Sequence, residues 1–193
     1  MSVFKKYFQN KKVIITGHTG FKGSWLALWC TLLGAKVYGI SKSLLENPSH
    51  YKKLSIKRNI SDIMIDIRNQ KKVKKIFQQV KPDYIFHLAA QSLVKKSFNK
   101  PLYTFETNTI GTLNILEAFT SLKNRCHAII ITSDKSYKNL EVKRGYNESD
   151  LLGGDDPYSG SKGAAELVIN SYFKSFIKFK KNLSINVTRA GNV

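Results

Sequence analysis

The stretch from Val13 to Gly23, Val-Ile-Ile-Thr-Gly-His-Thr-Gly-Phe-Lys-Gly, constrains the fold of this chain more than any other. An unbroken apolar run enters glycines at 17, 20 and 23, and an apolar segment from Trp25 to Leu33 follows. Strand, tight turn and helix are what such a run specifies. A helix that starts directly after a buried strand aims unpaired N–H groups and its positive dipole end at whatever sits over the turn. Gly17 and Gly20 permit the turn and a close backbone approach, and Gly23 lets the helix pack on the strand. A pyrophosphate fits there, so a dinucleotide site is expected. The competing reading is a glycine-rich connection with no ligand.

The rest of the chain alternates strand and helix. Val37 to Ile40 reads as a second strand and Ile63 to Ile65 as a third, with a loop or short helix over 44–60 around Pro48. Val73, Ile76, Phe77 and Val80 mark an amphipathic helix whose other face carries Lys71, Lys72, Lys74 and Lys75. Asp83 to Ala90 is a fourth strand, ending in Ala89 and Ala90, small enough to leave room for a ligand over the sheet edge. A helix carried by Phe105, Ile110, Leu113, Leu116, Phe119 and Leu122 follows. His127 to Thr132 is the fifth strand, 138–156 a polar loop, 158–176 a helix and Ile185 to Thr188 a sixth strand. Such alternation predicts an α/β fold: a Rossmann-like, doubly wound parallel sheet with helices on both faces. At 193 residues this is one domain.

In a dinucleotide fold the second strand usually ends in an acid for the adenosine ribose, yet Ser41, Lys42 and Ser43 stand here. Lys42 alone would argue for a 2′-phosphate, against the commoner case of a solvated loop lysine. Asp66, after the third strand, reads equally as an acceptor for an adenine amino group or as a cap for the next helix.

The formal charge of +19 raises nucleic acid as a partner. Only 5 of the 32 basic residues are Arg, and the lysines spread from Lys5 to Lys181 without a recognition motif. A lysine-rich composition is the expected explanation, with no nucleic acid bound. Cys30 and Cys126 belong to no Cys-x-x-Cys pair, which predicts neither disulfides nor a zinc site and fits a reducing cytoplasm. The N-terminus lacks an apolar signal core, and Trp25 to Gly34 is too short to span a bilayer, so a soluble protein off the membrane is expected.

The fifth strand runs into Ser133, Asp134 and Lys135: a hydroxyl, an acid and a base where the far end of a bound dinucleotide should lie. Downstream, Tyr158 and Lys162 stand four apart on one helical face. An ammonium beside a phenol favours the phenolate and lowers its pKa, which predicts a usable base near neutral pH. Tyr-x-x-x-Lys alone is common on exposed helices; after the glycine turn and Ser133 it carries weight.

Together these residues resemble an extended short-chain dehydrogenase/reductase. Thr-Gly-His-Thr-Gly-Phe-Lys-Gly-Ser-Trp-Leu (16–26), His-Leu-Ala-Ala-Gln (87–91), Thr-Ser-Asp-Lys (132–135), Gly-Gly-Asp-Asp-Pro-Tyr-Ser-Gly-Ser-Lys-Gly (153–163) and Arg-Ala-Gly-Asn-Val (189–193) are similar to the CDP-glucose 4,6-dehydratases, in the nucleotide-sugar dehydratase branch. Related dehydratases place Glu after the Asp where Lys135 stands. His18 and Lys22 in the turn point to the same branch.

The resemblance implies NAD despite the missing acid. It implies cofactor contacts from Gly17, His18, Thr19, Gly20, Phe21, Lys22, Gly23, Asp66, Ile67, Ala89, Ala90, Gln91, Asn108, Tyr158 and Lys162, and substrate contacts from Gln91, Ser133 and Asn192. It gives Tyr158 the proton of the sugar's carbon-4 hydroxyl, with Ser133 bonding that oxygen and Lys162 tuning Tyr158. Lys135 takes the carbon-5 proton while Asp134 protonates the hydroxyl leaving carbon 6. The net reaction is CDP-D-glucose to CDP-4-dehydro-6-deoxy-D-glucose plus water, with NAD regenerated, in deoxysugar and lipopolysaccharide biosynthesis. A homodimer through helices 103–124 and 158–178 is implied, although their apolar faces fit burial within one subunit equally well. Family members continue past Val193 into a region closing over the sugar nucleotide, so the chain is expected to be the NAD-binding part with little turnover alone. A dehydratase or epimerase for another sugar nucleotide, and a non-catalytic NAD-binding fragment, stay open as alternatives.

Overall fold

The unbroken apolar run of the first strand is explained by burial on both faces of a sheet. Val13, Ile14 and Ile15 are all fully buried, Ile14 in one core and its two neighbours in the other. The computed structural model of the chain describes residues 2–44 and 49–191. Six strands, β1 (Lys12–Thr16), β2 (Lys36–Ser41), β3 (Ser61–Met64), β4 (Tyr84–His87), β5 (Cys126–Ile131) and β6 (Leu183–Thr188), form one sheet in the order β3-β2-β1-β4-β5-β6. Every pairing between them is parallel. This is the Rossmann-like order.

The helices are α1 (Ser2–Phe8), α2 (Phe21–Leu32), α3 (His50–Leu54), α4 (Gln70–Val80), α5 (Val94–Asn99), α6 (Pro101–Phe105), α7 (Gly111–Thr120) and α8 (Pro157–Ser175). Val73 and Phe77 of α4, Ile115 and Phe119 of α7 and Ile169 of α8 fill the core on one face. Ala27 and Cys30 of α2 and Tyr51 of α3 fill the other. The lysines of α4 at 71, 72, 74 and 75 are exposed, as its period predicts. Because β1 lies between β2 and β4, the chain reverses its winding direction there. The crevice beyond the carboxyl ends of β1 and β4 is where such a sheet holds ligands.

Several boundaries differ from the sequence expectation. β3 is Ser61–Met64 rather than 63–65. The segment 44–60 contains α3 and a 3-10 turn at Ile56–Asn59, while Pro48 lies outside the described residues. The long helix through Phe105 and Leu122 is α6 and α7 joined by a widened π turn at Glu106–Ile110. Phe105 and Ile110 are 38% and 46% exposed, so their spacing reports an outward apolar face rather than this core. α1, which nothing in the sequence announced, lays Phe8 against Tyr84 and Phe86. Both cysteines are free and buried, and burial pushes their thiols up to about 12. No helix among the described residues is long and apolar enough to cross a membrane.

Candidate active site

The glycine turn is built from backbone contacts that leave no room for side chains. Gly17 has φ +76°, and a Cβ on it would stand 2.8 Å from the Ala89 nitrogen. A Cβ on Gly23 would stand 2.1 Å from the Gly17 carbonyl oxygen. The loop after β1 is thus pressed against the end of β4 on one side and α2 on the other. Thr16 reinforces this: its hydroxyl bonds His87 Nδ1 at 2.7 Å and accepts from the Ala89 amide at 3.2 Å. His87 is fully buried, with Nε2 3.0 Å from the Thr112 hydroxyl, and burial followed by the Lys162 charge pushes it down to about 3. It is a neutral structural histidine.

A cleft of about 580 Å³ opens over this turn. Gly17, Thr19, Gly20, Phe21, Lys22 and Gly23 line it from β1 and α2. Asp66 and Ile67 line it after β3, and Ala89, Ala90 and Gln91 after β4. Ser133, Tyr158 and Lys162 close the far end. Residues that sequence reasoning missed join them, among them Tyr103, Thr107, Ala190 and Gly191. The π turn buries Thr107 and leaves its hydroxyl without a partner.

Four expected site residues do not line the cleft. The His18 side chain turns beneath the sheet, with Nε2 2.9 Å from Asp62 and its ring edge-on to Tyr51. It occupies the space over Gly39, where a Cβ would fall 2.4 Å from the imidazole. Its side chain is a packing element that does not line the cleft. Asn108 is buried: its Oδ1 accepts from the Gln91 amide at 2.7 Å, and its Nδ2 donates to the Gln91 carbonyl at 3.0 Å and to the Ser161 hydroxyl at 2.9 Å. It ties the β4 exit to α8 from behind. Asp134 and Lys135 are exposed beside the cleft, the Asp134 carboxylate accepting from the Ser133 hydroxyl and the Lys135 amide, each at 2.9 Å. Asn192 lies outside the described residues.

At the end of the cleft beside β3, Asp66 is already occupied. Arg68 bonds it through its own amide and its guanidinium, and the Lys42 ammonium stands 3.4 Å away. Burial raises its carboxyl, but these cations outweigh that and hold it below the usual range. It does not cap the next helix; the Asn69 side chain does, accepting from the Lys72 amide at 3.0 Å. Lys42 also leans on the Tyr103 ring, 4.8 Å from its centroid. The Gln91 side chain, expected to meet ligand, is engaged with Leu93 and Thr104.

At the end of the cleft beside β5, Tyr158 is raised rather than lowered. Burial pushes the phenol up first, the Ser133 hydroxyl draws it down, and the carboxylates of Asp134 and Asp156 push it up again. The ammonium of Lys162 therefore does not set the net direction, contrary to the sequence expectation. Lys162 itself is pushed down to about 8, chiefly by burial, with Glu166 opposing and Lys22 adding to the fall. α8 starts cleanly here because Asp156 caps it, accepting from the amides of Tyr158 and Ser159.

This geometry sits on a recognisable chain. A family model described as GDP-mannose 4,6 dehydratase matches residues 14–186. The chain belongs to that family. CDP-glucose 4,6-dehydratase from Salmonella typhimurium is 40% identical, over 98% of this chain and 54% of its own length. CDP-paratose 2-epimerase from Salmonella typhi is 33% identical, over 86% of this chain and 54% of its own. An epimerase from Methanothermobacter thermautotrophicus superposes with TM-score 0.82 at 25% identity, covering 98% of this chain and 53% of the other. UDP-glucose 4-epimerase from Brucella ovis, solved with NAD, superposes with TM-score 0.78 at 21% identity, covering 94% and 52%. This member of the nucleotide-sugar dehydratase and epimerase family spans about half the length of the curated relatives it matches.

Proposed function

We propose that the chain supplies the NAD-binding and catalytic groups of a CDP-glucose 4,6-dehydratase. The observation that carries this is Lys135 beside Asp134 at the exit of β5, facing the end of α8 that presents Tyr158 and Lys162, in a chain 40% identical to such an enzyme. NAD fits the cleft: the turn leaves no space for a Cβ at Gly17 or Gly23, and the buried Thr107 hydroxyl still lacks a partner. The amides at the start of α2 would face its pyrophosphate. When bound, NAD supplies reversible hydride acceptance.

In this reading Tyr158 takes the proton of the carbon-4 hydroxyl, and the Ser133 hydroxyl holds that oxygen and stabilises the phenolate. Lys162, charged below about pH 8, favours the phenolate electrostatically and binds the nicotinamide ribose. Oxidation at carbon 4 acidifies carbon 5, where Lys135 removes the proton while Asp134 protonates the hydroxyl leaving carbon 6. The exposure of Lys135 and Asp134 suits groups that meet a sugar entering from outside. Among the described residues, the outward apolar side chains Phe105, Ile110 and Leu167 support a homodimer through the long helices.

The test presents NAD with CDP-glucose, GDP-mannose or dTDP-glucose to excess protein and follows loss of one water by mass spectrometry. CDP-glucose alone should lose water, and Lys135→Ala, which leaves no base at that position, should abolish the loss. Dehydration of another sugar nucleotide instead, or loss unchanged in Lys135→Ala, would refute the assignment.

A further inference from the structure

Glu166 is a buried carboxylate that the proposed chemistry does not use. It lies on α8 one turn past Lys162 and two past Tyr158, and is 6% exposed. Its Oε1 accepts from the Thr132 hydroxyl at 2.6 Å, the Ser136 hydroxyl at 3.3 Å and Arg189 Nε at 2.8 Å, and its Oε2 accepts from Arg189 Nη2 at 2.8 Å. Burial raises this carboxyl, but the guanidinium and the two hydroxyls outweigh it and keep the group ionised.

Each partner belongs to a segment that delivers a group to the cleft. Thr132 precedes Ser133, and Ser136 closes the turn beyond Lys135, its hydroxyl bonding back to the Ser133 carbonyl at 2.7 Å. Arg189 precedes Ala190 and Gly191, which form a lip of the cleft, and its guanidinium stacks on Tyr137. The Ala190 carbonyl in turn accepts from the Asp134 amide at 3.2 Å. A buried Glu–Arg pair is weak as a source of stability, since apolar residues of similar volume usually serve the fold as well or better. What apolar residues cannot do is fix the register of three polar segments at one point.

We propose that Glu166 is a positioning residue: it sets the Ser133–Lys135 turn and the 189–191 lip against Tyr158 and Lys162, acting through Thr132, Ser136 and Arg189 rather than by touching a ligand. This deepens the dehydratase reading and rests on it for the meaning of the site, though not for the geometry.

The experiment compares the wild-type chain, a Glu166→Leu, Arg189→Met double variant, and a Thr132→Val, Ser136→Ala double variant. Three readouts are taken: thermal midpoint, NAD affinity, and Tyr158 titration by carbon-13 tyrosine NMR assigned with Tyr158→Phe. Tyr158 is the reporter because Ser133 faces it from the turn, with Asp134 and Asp156 as the other charges acting on it. The apolar pair should keep or raise the thermal midpoint. It should also weaken NAD about tenfold and move the Tyr158 titration up by about half a unit as Ser133 drifts away.

A stable double variant with unchanged NAD affinity and unchanged Tyr158 titration would overturn the proposal. If the apolar pair does not fold, the Thr132→Val, Ser136→Ala variant decides it by the same Tyr158 shift or its absence. Should the wild type bind no NAD, the dehydratase reading fails while the Tyr158 titration still tests the positioning.

Discussion

The two ends of the cleft are held by different means. At the glycine turn the backbone does the holding: Gly17, Gly23 and the Ala89 amide pack too closely for side chains, and behind them His87 pairs with Thr16 while Asn108 pairs with the Gln91 backbone. At the exit of β5 Asp134 and Lys135 are exposed, and one buried carboxylate, Glu166, ties the segment down. The first end needs only shape and oriented amides, which suits a ligand recognised through its phosphates. The second must place protons, which requires groups that meet the substrate and shift their charge.

The sharpest break in that contrast is Gly23→Ala. Its Cβ would meet the Gly17 carbonyl at 2.1 Å, where only the backbone can give way, so the variant should lose about 3 kcal/mol in denaturant unfolding along with NAD binding. Gly145→Ala, in the 138–156 loop with nothing within 4 Å, should leave both unchanged.

Next in size, and opposite in sign, is Lys162→Met. Lys162 falls from 10.5 to about 8 on folding, so burying its charge costs stability in full below about pH 8. The variant should be more stable than wild type by about 2–3 kcal/mol at neutral pH, and the gap should close as pH rises from about 8 toward 10.5. A constant gap across that range would show that the ammonium is not strained in the folded chain. NAD affinity should fall even as stability rises.

Asn108→Ala leaves the Gln91 amide and carbonyl unpaired in a buried site, for a loss of about 2 kcal/mol. Smallest of all is Asp150→Asn. Its pairing with Arg144 lies at the surface, in a loop where the Arg144 side chain is 56% exposed, so the thermal midpoint should stay within error at neutral pH.

The glycine turn was legible because steric law decides it: a positive φ and a backbone in contact with backbone admit only glycine. The parallel sheet was legible because both of its faces are buried. Thr107 was not, since the π turn that turns it inward arises where α6 and α7 pack on α8. The direction of the His18 side chain was not legible because spacing in the turn says nothing of which way a side chain points. The available signal was Gly39, a glycine inside β2, which marks a close approach by something bulky. Glu166 continues the four-residue step from Tyr158 and Lys162, but its meaning depends on Arg189, Thr132 and Ser136, all remote in sequence. The direction of Tyr158 failed for a related reason: helical spacing showed the ammonium and hid the burial and the carboxylates of Asp134 and Asp156 that raise the phenol.

The most direct test of the central claim is an NMR titration of the nitrogen-15-labelled chain with NAD. Saturable shifts should appear at Gly17–Gly23, Ala89–Gln91 and Thr107, with the 138–156 loop unmoved. Shifts confined to the exposed lysine face of α4, or no saturation at all, would contradict a preformed dinucleotide cleft at the end of β1.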